Sequence, residues 1–258
     1  MFYGLTQYVN IETLENYDRF NRPFMPVTRA CPACTECITL SCQPVTDFGK
    51  QGQIWKSVHS IIEDIIGSSE CVSSFAFALL SQFQSNLNRQ LRGESLPISE
   101  IYTVLIKQLS KCIYFDFGLP NISPLQRLNI ERLSSVSKMM ISLELDSERW
   151  KVLQFKHLAR FPKIECQKCG VTSCYSCSSS PFHLTMTCKE SIIQALANEA
   201  SPEMIATLKW QVENSKRCPR CSTVISRDEG CNQVNCLFCG FTFCWYSFNL
   251  MQAMSRRI

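Results

Sequence analysis

The chain has 258 residues, 45% of them hydrophobic, with a formal net charge of +4 and seventeen cysteines. That length holds one large domain or two to three small ones, and so small a charge, without a basic stripe, argues against nucleic-acid binding. No stretch approaches the roughly 18 to 20 apolar residues of a membrane span, so no membrane partner is expected. Residues 1–17 lack the apolar core and cleavage site of a signal peptide. The expected compartment is therefore reducing, the cytoplasm with the nucleus as an alternative, where paired cysteines serve as metal ligands or reactive thiols rather than disulfides.

In chain order, the first feature is a cysteine cluster, Cys31, Cys34, Cys37 and Cys42. From about Val45 to Ile164 the chain reads as helical. Ile54, Val58, Ile61, Ile62, Ile65 and Ile66 fall at helical spacing and Gly67 offers a stop. Phe75, Leu79, Phe83, Leu87 and Leu91 repeat every four residues and end at Gly93. Ile101, Val104, Leu105, Leu109 and Cys112 form a third stripe. Ser123-Pro124 is a helix start, a capping hydroxyl followed by proline where no amide donor is needed. Leu125, Leu128, Leu133 and Val136 continue that helix, and Asp146 opens a last one carrying Trp150 and Leu153. These stripes predict a small helical bundle with no chemistry of its own. Cys71 and Cys112 are expected to be buried small apolar residues, and His59 and His157 to be helix residues rather than ligands.

Past Ile164 the texture changes to short, cysteine-punctuated loops. Zinc takes four tetrahedral sulfur or imidazole ligands, and a Cys-x2-Cys turn places two sulfurs on one metal with little strain. Cys174, Cys177, His183 and Cys188 supply one full site. Cys166 and Cys169 supply half of another, whose missing partners are expected to be Cys31 and Cys37, with Cys34 the main substitute and Cys42 a weaker one. Closing that site loops out roughly 130 residues, a cost that grows only slowly with length, whereas structural zinc is worth on the order of 10 kcal/mol. The rival arrangement has the N-terminal cysteines binding metal separately or not at all. A helical linker is expected from Lys189 to Ser215, with Ser201-Pro202 as its start.

The last set is Cys218-x2-Cys221 with Cys236-x2-Cys239, a third complete four-thiolate site, so about three zinc ions are expected in all. Lys216, Arg217 and Arg220 read as a solvated rim. Cys231 lies on the loop between the two pairs with no ligand role left, and a metal-pinned loop presenting one spare thiol is suited to a nucleophile. Arg227 would favour its thiolate; Asp228 and Glu229 would oppose it.

Residues Lys216 to Cys221, Asp228 to Asn232, Cys236, Cys239 and Phe243-Cys244-Trp245 resemble the second RING of RING-between-RING ubiquitin ligases. Cys166 to Cys188 resembles the latter half of their in-between-RING domain, and Ile11 to Cys37 loosely resembles its entry helix and first cysteine pair. The resemblance implies a helical insert, 45–164, within an in-between-RING domain formed by 1–44 and 165–189, then a helical linker, 190–215, and a truncated second RING, 216–258. The implied fold class is helical, with small zinc modules built on short β-hairpins. By the same resemblance Cys231 takes ubiquitin as a thioester from a ubiquitin-conjugating enzyme and passes it to a lysine of a protein substrate.

Three departures qualify that expectation. Gln233 stands where many members have a general-base His. Ser247 replaces a cysteine, and 248–258 contain neither Cys nor His, which leaves Cys244 without partners for a further zinc. No first RING, the module expected to recruit the charged conjugating enzyme, is read in this sequence. The alternative is a zinc scaffold that binds ubiquitin or a conjugating enzyme without transfer.

Overall fold

The computed structural model describes residues 26–40, 42–68, 73–113, 121–199, 206, 210, 213–220, 224–226, 231–236 and 241–247. The sequence expectations at Ile11–Tyr17, Cys71, Ser201-Pro202, Cys221, 227–230, Cys239 and 248–258 lie outside these residues.

A first hairpin pairs β1 (Thr28–Ala30) with β2 (Cys37–Thr39). The helices follow: α1 (Phe48–Ser68), α2 (Ser73–Leu91), α3 (Ile98–Cys112), α4 (Pro124–Ser142) and α5 (Ser147–Arg160). A second hairpin pairs β3 (Lys163–Glu165) with β4 (Thr172–Cys174), and α6 spans Cys188–Glu199. Two further hairpins close the described chain, β5 (Ser215–Arg217) with β6 (Val224–Ser226) and β7 (Gln233–Asn235) with β8 (Thr242–Cys244). All four are antiparallel. The class is thus helices plus short hairpins bearing cysteine clusters.

Local chemistry sets the helix ends. Ser123 caps α4 in a reciprocal box with Gln126, with Pro124 in the first turn. The Asp146 carboxylate accepts from the Arg149 amide at the start of α5, and Asp47 does the same for Lys50 ahead of α1. Gly93, at φ +79°, takes the left-handed position that ends α2. Helix α1 ends at Ser68, one residue past the stop expected at Gly67.

Helix α4 packs on α1, α3 and α5, and α1 also packs on α2 and α3. Trp55, Val58, Ile62, Ile65, Leu109, Leu133, Val136, Met140, Trp150 and Leu153 are fully buried there. The face of α3 is turned from the expected one: Tyr102 and Ile106 are inside, while Val104 is 46% exposed. Tyr102 can be buried because its hydroxyl lies 2.8 Å from Ser137 Oγ, itself 2.8 Å from His157 Nδ1. Leu91, Leu125 and Leu128, expected in the core, are exposed. Cys112 is buried as expected, but as a disulfide rather than a free thiol.

The insert carries its own two ends back to one place. The Gln154 side chain of α5 accepts from the Val27 amide, Trp150 Nε1 donates to the Cys42 carbonyl, and the Val45 amide donates to the Ser142 carbonyl of α4. Helix α5 then feeds directly into β3. The first hairpin is therefore fixed to the helices that deliver the second one.

Candidate functional site

Each of the first two hairpins turns through a Cys-x2-Cys segment, and the turns share one backbone pattern. The Cys31 amide donates to the Glu36 carbonyl at 2.8 Å, and the Thr35 amide donates back to the Cys31 carbonyl at 3.0 Å. Cys166 repeats this with Val171 and Gly170, and Cys174 with Ser179 and Ser178. The residue after the second cysteine is left-handed each time: Thr35 at φ 59°, Gly170 at 71°, Ser178 at 62°. Such a turn aims both sulfurs at one point.

The consequence is two groups whose ligand atoms all lie within 4.8 Å of one another: Cys31, Cys34, Cys166 and Cys169, and Cys174, Cys177, His183 and Cys188. The sulfur of Cys31 lies 3.7 Å from that of Cys169, Cys34 lies 3.6 Å from Cys166, and Cys174 lies 3.7 Å from Cys188. Zinc–sulfur bonds of about 2.3 Å in a tetrahedron give sulfur–sulfur edges of about 3.8 Å, whereas a disulfide would need about 2.05 Å. His183 presents Nε2 to Cys177 at 3.2 Å and holds Nδ1 on the Met186 carbonyl at 2.9 Å, which fixes the ring for metal binding. The donor sets therefore fit zinc.

The second group contains the residues that the spacing pointed to. In the first, Cys34 stands where Cys37 was expected. The left-handed turn at Thr35 ends the knuckle, so Cys37 falls in the ladder opposite Ala30, exposed and turned away from the cluster. Cys42 is buried apart from it, its thiol pushed up to about 12 by burial.

Charge in the two clusters is uneven. The amides of Cys169 and Lys168 hold the Cys166 thiol down to about 7 against the cost of burial. Contacts with Cys174 and Cys177 hold the His183 imidazole up to about 10, and the Cys177 thiol is lowered by its neighbours Cys174 and Cys188. A metal ion entering such a group displaces protons.

One feature the sequence reading missed is the start of α6. Thr187 and Glu190 form a reciprocal capping box, the Glu190 amide donating to Thr187 Oγ1 at 3.2 Å and the Thr187 amide to Glu190 Oε2 at 2.7 Å. The Thr-x-x-Glu signature was present in the sequence. The helix therefore begins at Cys188 and so fixes its sulfur within the second group.

The last two hairpins repeat the knuckle in part. Cys218 and Cys236 follow β5 and β7, both buried. The Cys236 amide donates to the Phe241 carbonyl, as at the earlier knuckles, and the Arg220 amide reaches the Cys218 sulfur as Ala33 reaches Cys31. Cys231 stands just before β7, exposed, its sulfur 3.5 Å from the Gln233 amide. It belongs to neither metal group among the described residues. Gln233 pairs with Cys244 across the β7–β8 ladder, and the Trp245 amide donates to the Asn232 carbonyl. The Ser247 hydroxyl and amide, then the Tyr246 amide, hold the Cys244 thiol below its usual range. Lys216 Nζ donates to the Trp245 carbonyl and lies 5.4 Å and 5.6 Å from the Trp245 and Tyr246 ring centres.

These features define a cysteine-rich, metal-binding protein of the hairpin-knuckle type. Comparison with known proteins narrows the class. The profile of the IBR domain matches residues 213–249. The chain is 37% identical over 86 residues to human "E3 ubiquitin-protein ligase RNF144A", covering 32% of this chain and 28% of that protein. It is 35% identical over 83 residues to "Putative E3 ubiquitin-protein ligase ARI4" of Arabidopsis thaliana, covering 32% and 15%. It is 34% identical over 88 residues to mouse "Cullin-9", covering 31% and 3%. The chain thus spans under a third of the length of these relatives. No solved structure matches it. The chain carries an IBR-type domain and resembles the RING-between-RING ubiquitin ligases. The IBR-domain profile falls on the segment that the motifs assign to a second RING; among the described residues both regions carry short antiparallel hairpins.

Proposed function

We propose that the chain is part of a RING-between-RING ubiquitin transferase in which Cys231 carries ubiquitin. The observation that carries this reading is the exposed Cys231 thiol just ahead of β7, in a module whose other described thiols are buried, Cys218 and Cys236, or half-buried, Cys244. In this reading Cys231 Sγ attacks the thioester carbonyl linking ubiquitin to a conjugating enzyme, forms a new carbon–sulfur bond and expels the enzyme's thiolate. A substrate lysine amine then attacks the Cys231 thioester, an amide bond forms, and the Cys231 thiolate leaves. The amine's proton passes to solvent or a neighbouring base, since the Gln233 side chain cannot accept it.

Zinc holds the scaffold. Cys31, Cys34, Cys166 and Cys169 take one ion, Cys174, Cys177, His183 and Cys188 a second, and Cys218, Cys221, Cys236 and Cys239 a third. Residues 1–44 and 165–189 then act as one in-between-RING domain interrupted by the helical insert, and 216–258 as the catalytic module. Ubiquitin, a conjugating enzyme and a protein substrate are the partners. Among the described residues no helix is long and apolar enough to cross a membrane.

The test is a transfer assay with a panel of ubiquitin-charged conjugating enzymes. The expected result is a reducible ubiquitin adduct that is lost in Cys231→Ala and becomes a thiol-resistant ester in Cys231→Ser. An adduct that survives Cys231→Ala would contradict the assignment. A second reading, a non-transferring scaffold, is favoured by Ser247, which faces Cys244 where the family places another zinc ligand. It predicts binding to ubiquitin or a conjugating enzyme that survives Cys231→Ala, with no adduct from the unmodified chain.

A further inference from the structure

The two metal clusters are joined by one side chain. Arg29 lies on β1, two residues before the ligand Cys31, and its guanidinium reaches across to the second knuckle. One terminal nitrogen donates to the Tyr175 carbonyl and the other to Ser178 Oγ. Its carbon lies 5.4 Å from the Tyr175 ring centre. Tyr175 is the residue between ligands Cys174 and Cys177 whose amide is held by the Pro162 carbonyl, and it is buried. Ser178 is the left-handed residue that closes the same turn. Arg29 therefore grips the second knuckle on both sides of Cys177, from a strand whose end places Cys31.

We propose that Arg29 is a positioning residue that couples zinc binding at the two clusters. On this proposal a metal bridging Cys174 and Cys177 holds the turn at 175–178 in the shape its backbone hydrogen bonds define. In that shape it presents a carbonyl and a hydroxyl to the guanidinium fork. Filling the second cluster thus fixes β1 and pre-forms half of the first cluster, and by linkage the first stabilises the second equally. A planar fork is needed to engage two acceptors at once, which a lysine ammonium does not do in a fixed geometry. The Glu36–Lys168 pair also spans the first cluster, at 3.0 Å, but both partners are more than half exposed, so it contributes little.

This inference rests on both clusters holding zinc. The test uses the full chain and follows each cysteine separately, by alkylation and mass spectrometry, as chelator is raised. In the unmodified chain, His183→Ala lowers the chelator concentration that exposes Cys31 and Cys34 by about tenfold, within the usual range of coupling between sites. Arg29→Gln alone lowers it similarly, and adding His183→Ala to Arg29→Gln lowers it no further. Arg29→Lys behaves as Arg29→Gln. Ser178→Ala, which removes one acceptor from the opposite side, weakens the coupling in the same direction. An equal effect of His183→Ala with and without Arg29, or no effect in either, overturns the coupling. Cysteines whose reactivity ignores chelator in the unmodified chain would instead overturn the zinc reading on which it rests.

Discussion

The knuckles formed by residues 26–40 and 163–188 and the described part of the module at 213–247 share hairpin hydrogen bonds but place their thiols differently. In the first region seven cysteines and one histidine gather into two tight groups, with Cys37 left outside them. In the second, Cys218 and Cys236 are buried and Cys231 faces solvent. The difference lies in where a thiol falls relative to the turn. In the first region the cysteines at both ends of each x2 segment enter a four-ligand group, while Cys37, within β2, and Cys231, ahead of β7, lie outside both groups. The proposed function gives chemistry to the outlying Cys231 and stability to the grouped thiols.

The sharpest way to break that contrast is to remove an aimed sulfur. Cys34→Ser is expected to cost one zinc by native mass spectrometry and Cys37→Ser none, with structural zinc worth on the order of 10 kcal/mol. The reverse pattern would put Cys37 back in the cluster. Next in size is the anchor between hairpin and bundle. Trp150→Ala removes a fully buried ring and leaves the Cys42 carbonyl without its Nε1 donor, so urea unfolding should show a loss of about 3–5 kcal/mol. A loss below about 1 kcal/mol, the scale of a surface change, would show that the anchor does not hold.

A smaller, pH-dependent effect comes from His157. Burial first, then the Lys138 charge, lowers its pKa from 6.5 to about 3. The unfolded chain takes up the proton first, so this contribution is complete above about pH 6.5 and is lost as pH falls toward 3, at up to about 1.4 kcal/mol per unit. The unfolding free energy of His157→Gln should lack that slope, and parallel profiles for the two proteins would contradict it. The smallest effect is expected at the rim, where Glu36→Gln breaks an exposed ion pair and should change stability by less than about 1 kcal/mol.

Much of this could be read from the residues. Ser123, Pro124 and Asp146 announced their helices because capping is local chemistry, and Cys174, Cys177, His183 and Cys188 announced a metal site because the ligands are close in sequence. What is not legible depends on distant partners: Tyr102 is a core residue because its hydroxyl partner, Ser137, is on another helix. Cys34, by contrast, is legible over Cys37, because Cys31-x2-Cys34 has the same spacing as the other knuckles. The disulfide at Cys112 had no local signal.

Thiol mapping of the zinc-loaded chain tests the central contrast directly. With a limiting alkylating reagent, Cys231 should be modified early, together with Cys37, while Cys31, Cys34, Cys166, Cys169, Cys174, Cys177 and Cys188 react only after a chelator is added. Protection of Cys231 that is released by chelator along with the others would make it a metal ligand, and the transfer function proposed for it would fall.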